Sequence, residues 1–122
     1  MGSKPYVLKF HELHPCNFPL LLTKTIPFEL VRAANVKGGM SFFSQDNTRY
    51  FKSRYPSAAY QVGNKAFFIT SERSSLSTKR CYTVRVCDMT TGRINDVGKF
   101  CQNSEVQARK LLIDTIRQEE VI

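Results

Sequence analysis

Between Ala58 and Glu119 the apolar positions follow two regimes, a two-residue alternation as far as Phe100 and a helical arc from Val106 onward. Cys81 to Cys87 alternates cleanly, with Tyr82, Val84 and Val86 on one side and Thr83 and Arg85 on the other. Ala58 to Val62 and Lys65 to Thr70 flank Gly63-Asn64. A leading Gly suits a type II′ turn, because only Gly takes the required positive φ without steric cost. Glu72 to Lys79 predicts a polar, Ser-rich loop. Asp88 to Gly92 predicts a second hairpin loop with Gly92 left-handed, and Arg93 to Phe100 returns as a strand in which Gly98 marks a bulge.

The closing helix carries the best local signal. Ser104-Glu105-Val106-Gln107 matches a capping box, in which Ser104 bonds the Gln107 amide and Gln107 reaches back to Ser104. Val106, Ala108, Leu111, Leu112, Ile113 and Ile116 cover a wide apolar arc, while Lys110, Asp114 and Arg117 share the opposite side. Such a helix packs on the nearest apolar surface, here the sheet that precedes it.

The first half is less regular. Tyr6 to Phe10 alternates and predicts a first strand; His14 to Pro19 reads as a loop. Phe28 to Asn35 predicts a short helix with Pro27 just ahead of it, ended by Lys37-Gly38-Gly39. Ser44 to Arg54 predicts another, stopped by Pro56. The fold class expected is α+β: an antiparallel sheet of four or five strands with a C-terminal amphipathic helix on one face. Residues 1–122 form a single domain, with an irregular part at 1–57 and the sheet plus helix at 58–119. A free sheet edge is left for Tyr6 to Phe10 or a second subunit to cover.

Composition narrows the classes. Of 122 residues, 42% are hydrophobic and 23% charged, as in a globular protein rather than a disordered tail. No apolar run approaches the ~20 residues of a membrane span, and the start lacks the order of a secretory signal, so a soluble cytoplasmic protein is expected. In a reducing compartment Cys16, Cys81, Cys87 and Cys101 are expected as buried free thiols. No C-x-x-C occurs.

Charge adds a direction. Of the net +8, the segment Arg49 to Lys99 holds +7, on what reads mainly as sheet. Such a field suits nucleic acid or an acidic host protein. With Tyr82, Val84 and Val86 facing the helix, Thr83 and Arg85 face away, joined by some of Lys65, Phe67, Asn95 and Lys99. A face mixing cations and aromatics can hold phosphates and stack on bases. The contact set expected is Arg49, Lys52, Arg54, Lys65, Arg80, Arg85, Arg93 and Lys99. Three strands followed by a helix is also the layout of AP2-like DNA-binding domains. The plain alternative is a solvated face, or one covered by the first half of the chain.

Other chemistry is thin. Arg49 to Tyr55 interleaves basic and aromatic residues as a single-strand binder would, and as an amphipathic segment with buried aromatics would. His11, His14 and Cys16, with Cys101 as a fourth, are of zinc-binding type, but their spacing matches no common site, and no metal is assigned. No nucleophile, paired carboxylate or phosphate-binding glycine loop is marked, so neither an enzyme nor a cofactor is expected.

Three stretches recur together in a recognisable order: Ser41-Phe42-Phe43-Ser44 with Arg49-Tyr50-Phe51-Lys52-Ser53-Arg54; Phe68-Ile69-Thr70-Ser71-Glu72; and Tyr82-Thr83-Val84-Arg85 through Thr91-Gly92-Arg93-Ile94 to Val97-Gly98-Lys99-Phe100. They resemble small uncharacterised proteins of bacteriophages and other bacterial mobile elements, over roughly Ser41 to Phe100. This chain departs from that pattern at Cys87 and Cys101, where an aromatic or charged residue is usual. The resemblance implies a host-bacterium cytoplasm and an accessory role. Two functions are then expected: nucleic-acid binding through the basic sheet face, or non-enzymatic inhibition of a host protein.

Overall fold

A computed structural model describes residues 22–43, 58–72 and 80–120. The Tyr6 to Phe10 strand, the Ser44 to Arg54 helix, and Arg49, Lys52, Arg54, His11, His14 and Cys16 lie outside them. The elements run β1 (Lys24–Pro27), α1 (Phe28–Lys37), β2 (Ala58–Val62), β3 (Lys65–Glu72), β4 (Cys81–Asp88), β5 (Ile94–Gln102) and α2 (Glu105–Glu120). The sheet is antiparallel throughout, in the order β1-β2-β3-β4-β5. The fold is α+β, with five strands among the described residues and the C-terminal helix on one face.

Local chemistry sets these elements. Gly63 turns β2 into β3 at φ 62, and no positive φ occurs at Asn64, the type II′ pattern. Ser104 Oγ accepts the Gln107 N–H at 3.2 Å and so starts α2. Ala108, Leu112 and Ile116 of α2 then seal against Tyr60, Val62, Phe67, Ile69 and Val84. Leu112 and Ile116 each contribute about 1.5–3 kcal/mol by that burial, before entropy. Val106, expected in the apolar arc, is instead 71% exposed, because the helical turn sets it on the side away from the buried Ala108.

α1 begins directly after the extended Pro27, as expected, and runs two residues past Asn35. It lies on the sheet face opposite α2. Phe28 and Val31 pack there with Ile26, Ala59, Ala66, Phe68 and Cys87. The Phe28 ring meets Phe68 at 5.1 Å and Phe43 at 5.2 Å, both edge-on. The C-terminal end of α1 interlocks with the β4–β5 loop: a Cβ on Gly38 would lie 2.0 Å from the Thr91 carbonyl oxygen, and one on Gly92 2.3 Å from that of Ala34. Asn35, 1% exposed, spans the junction, donating to the Gly92 carbonyl at 2.7 Å and accepting the Phe42 N–H at 3.1 Å.

The edge of β2 is paired with β1, and one expectation is corrected. The face carrying Thr83 and Arg85 is an interior one, with α1 on part of it and Thr83 and Arg85 at 0% and 7% exposure.

Candidate functional site

The basic residues expected on one face are distributed by strand register. Phe68 of β3 stands opposite Arg85, and Phe67 opposite Val86. Phe67 and Lys65 therefore belong to the α2 side, where Phe67 is buried and Lys65 pairs with Glu119 at 3.0 Å. Asn95, opposite Val86, is on that side too. Arg93, just before β5, and Lys99, within it, are both exposed. Arg80 is half-buried, its guanidinium donating to Ser71 Oγ and to the Ser71 carbonyl, each at 2.6 Å. Among the described residues, Lys65, Arg80, Arg85, Arg93 and Lys99 do not gather on one exposed sheet face.

Arg85 is instead the centre of an internal network. Its Nη2 meets Glu72 Oε1 at 2.7 Å, Nη1 meets Asp96 Oδ1 at 2.5 Å, and Nε donates to Thr70 Oγ1 at 3.0 Å. Phe42 and Phe100 flank the guanidinium at 5.1 and 5.6 Å. Glu72 is 5% exposed and also accepts from Thr70 and Thr83 hydroxyls. A buried charge needs such partners, because taking it out of water unpaired costs several kcal/mol.

A bulge in β5 completes this region. Val97 stands opposite Val84, and Gln102 opposite Tyr82, so four residues of β5 answer one of β4. Gly98 (φ 69) and Cys101 (φ 63) absorb the excess. Cys101 is thereby brought beside Cys81, with Cα atoms 4.9 Å apart, and the two form a disulfide. Free thiols were expected at both. Their separation of 20 residues does not reveal the pairing; the length of the bulge decides it. Cys87 is free and buried as expected, and burial, then the nearby Asp88 charge, pushes its thiol up to about 11.

The outer side of α2 forms an open groove of about 400 Å³ lined by Val106, Arg109, Lys110, Ile113, Asp114 and Arg117. Lys110 and Asp114 are exposed in it, whereas Arg109 and Arg117 are partly buried, Arg117 with Nε and Nη2 out of solvent. Glu105 lies 3.8 Å from Arg109, and partial burial lowers the Arg109 guanidinium from its ordinary value. None of the three cations was in the expected contact set. A signal for two of them was present: Lys110 and Arg117 recur with Asp114 at helical spacing on the side away from the sheet. Among the described residues no helix is long and apolar enough to cross a membrane.

Residues 28–112, from the first residue of α1 to Leu112 of α2, match the family of unknown function DUF7447, and the chain belongs to it. That span includes the Arg85 network, both bonded cysteines and the start of the α2 groove. No curated protein and no solved structure matches the chain. The family carries no assigned catalytic activity.

Proposed function

We propose that this member of DUF7447 is a non-enzymatic binding domain that captures an acidic, apolar-bearing segment of a partner protein in the groove of α2. The observation that carries the reading is the groove's composition: Val106 and Ile113 ringed by Arg109, Lys110 and Arg117. Apolar contact bordered by Arg is the usual anatomy of a protein interface. In the mobile-element setting that the sequence resemblance implies, such a partner is a host protein, and binding would inhibit it. Nucleic-acid binding is the second reading, supported by the net charge of +8. Its former centre, Arg85, is already paired with Glu72 and Asp96.

The two readings differ in their response to salt and to nuclease. Capture of a host protein that survives nuclease and is lost in Val106→Glu with Lys110→Glu supports the first. A DNA or RNA titration in which log affinity falls linearly with log salt, unchanged by Val106→Glu, supports the second and removes the first.

A further inference from the structure

We infer that Cys81, Cys101 and Glu72 form a redox-controlled binding site for a thiophilic divalent cation, zinc(II) being the class that fits. The site is made when the disulfide is reduced. From the sequence Cys101 was considered only as a fourth ligand beside His11, His14 and Cys16; Glu72 and Cys81 face each other across β3 and β4, and the β5 bulge brings Cys101 to them. The two sulfurs and a Glu72 carboxylate oxygen all lie within 4.8 Å of one another. A tetrahedral zinc ion with Zn–S of ≈ 2.3 Å and Zn–O of ≈ 2.0–2.2 Å needs ligand atoms about 3.3–3.8 Å apart. With Cα atoms 4.9 Å apart, rotation about the two Cα–Cβ bonds can take the sulfurs from bonded to that spacing without moving the strands.

The surroundings favour the ion in three ways. Glu72 Oε1 is held by Arg85 and Thr70 at 2.7 and 2.9 Å, whereas Oε2 has a single long bond, 3.3 Å from Thr83. Oε2 is thus the oxygen available for a metal, with its carboxylate already oriented by its neighbours. Thr83 Oγ1 also accepts the Cys101 N–H at 2.9 Å, which fixes that cysteine beside Glu72 in a backbone conformation (φ 63) that non-Gly residues rarely adopt. Charge is nearly balanced as well. Two thiolates, Glu72 and the partly exposed Asp96 supply four negative charges against three from the ion and Arg85, so the set carries one net negative charge, with Asp96 at its solvent side. Cys81 and Glu72 are buried at 6% and 5% exposure and Cys101 is half-buried, so the ion enters from the Cys101 side and keeps one position for water.

The chemistry balances with a dithiol as reductant. Thiol–disulfide exchange transfers two electrons and two protons to the Cys81–Cys101 bond, breaking it into two thiols while the dithiol closes to its own disulfide. The cation then replaces the two thiol protons, which leave to solvent.

Cobalt(II) reports the site directly. The full-length chain, reduced with a phosphine, takes up one Co(II) with thiolate-to-metal charge-transfer absorption, and Zn(II) displaces it. The oxidised chain takes up none. Cys101→Ser abolishes the charge-transfer band, and Glu72→Gln raises the Kd about tenfold or more. Any of three results overturns the inference: a reduced chain that binds no Co(II), a disulfide that resists reduction in the folded chain, or a band that survives Cys101→Ser. The last would move the ion to His11, His14 and Cys16. Comparing oxidised with reduced wild type needs no substitution, so a variant that fails to fold leaves the test intact.

Discussion

On the α2 side of the sheet, Tyr60, Val62, Phe67, Ile69 and Val84 meet Ala108, Leu112 and Ile116 in a mainly apolar contact. On the α1 side the same strands carry a divided surface. Ile26, Ala59, Ala66, Phe68 and Cys87 pack under Phe28 and Val31, but Thr70, Glu72, Thr83 and Arg85 continue that face as a buried ionic network. The first side is held by area and shape. The second depends on complete pairing, because each partner removed leaves another charge buried and unanswered. The same sheet therefore tolerates different damage on its two sides.

The sharpest way to break this contrast is at Arg85. Arg85→Ala leaves Glu72 buried without its cation, and a loss of about 3–5 kcal/mol is expected in urea unfolding. Replacing Arg85 by Met and Glu72 by Leu together should recover much of it, since no charge then remains to be partnered. A double variant no more stable than Arg85→Ala would mean that the network's value is not pairing but shape. On the other side, Leu112→Ala is expected to cost about 2–5 kcal/mol through lost contact and a residual cavity, at the lower end if α2 settles into the gap. That loss should not respond to salt or pH.

The same contrast explains what the sequence made legible. On the α2 side, β4 and the helix start were readable, from the alternation of Tyr82, Val84 and Val86 and from Ser104 as a cap, because each signal is local and binary. The α1 side was not. Alternation assigns Thr83 and Arg85 correctly to the face away from α2, but it cannot tell a solvated charge from a partnered one. That depends on Glu72 and Asp96 arriving from neighbouring strands. Lys65 and Phe67 were grouped with Arg85 because the register of β3 against β4 was not known; a one-residue slip exchanges the faces. The Cys81–Cys101 contact rests on a four-residue bulge for which Gly98 gave only the location. The groove cations were visible as a stripe, but nothing in the pattern marks a solvated helix side as concave.

Cys87 sharpens the comparison with pH. Its buried thiol is held up to about 11 from an ordinary 9.0 by burial and by Asp88. Between those values the unfolded chain releases the proton while the folded chain retains it, so unfolding is favoured as pH rises. Stability from this group is complete below pH 9 and is lost as pH rises toward 11, by about 1–3 kcal/mol. In Cys87→Val that slope should be absent when stability is measured against wild type across the same window. An unchanged slope would assign the alkaline loss to other groups.

The smallest expected effect tests whether pairing matters only where water is excluded. Lys65 and Glu119 approach to 3.0 Å, a distance comparable to that between Arg85 and Glu72, yet the Lys65 side chain is 49% exposed and Glu119 23%. In that setting the Coulomb gain is largely cancelled by solvation and by the entropy of holding two long side chains. Lys65→Met is therefore expected to change stability by less than about 1 kcal/mol, and added salt should shrink the difference further, since an exposed pair is screened. The Arg85→Ala loss should persist in the same salt because its charges are interior. If Lys65→Met cost as much as Arg85→Ala, burial could not be what separates the two pairs. The division of the sheet into an area-held side and a pairing-held side would then fail with it.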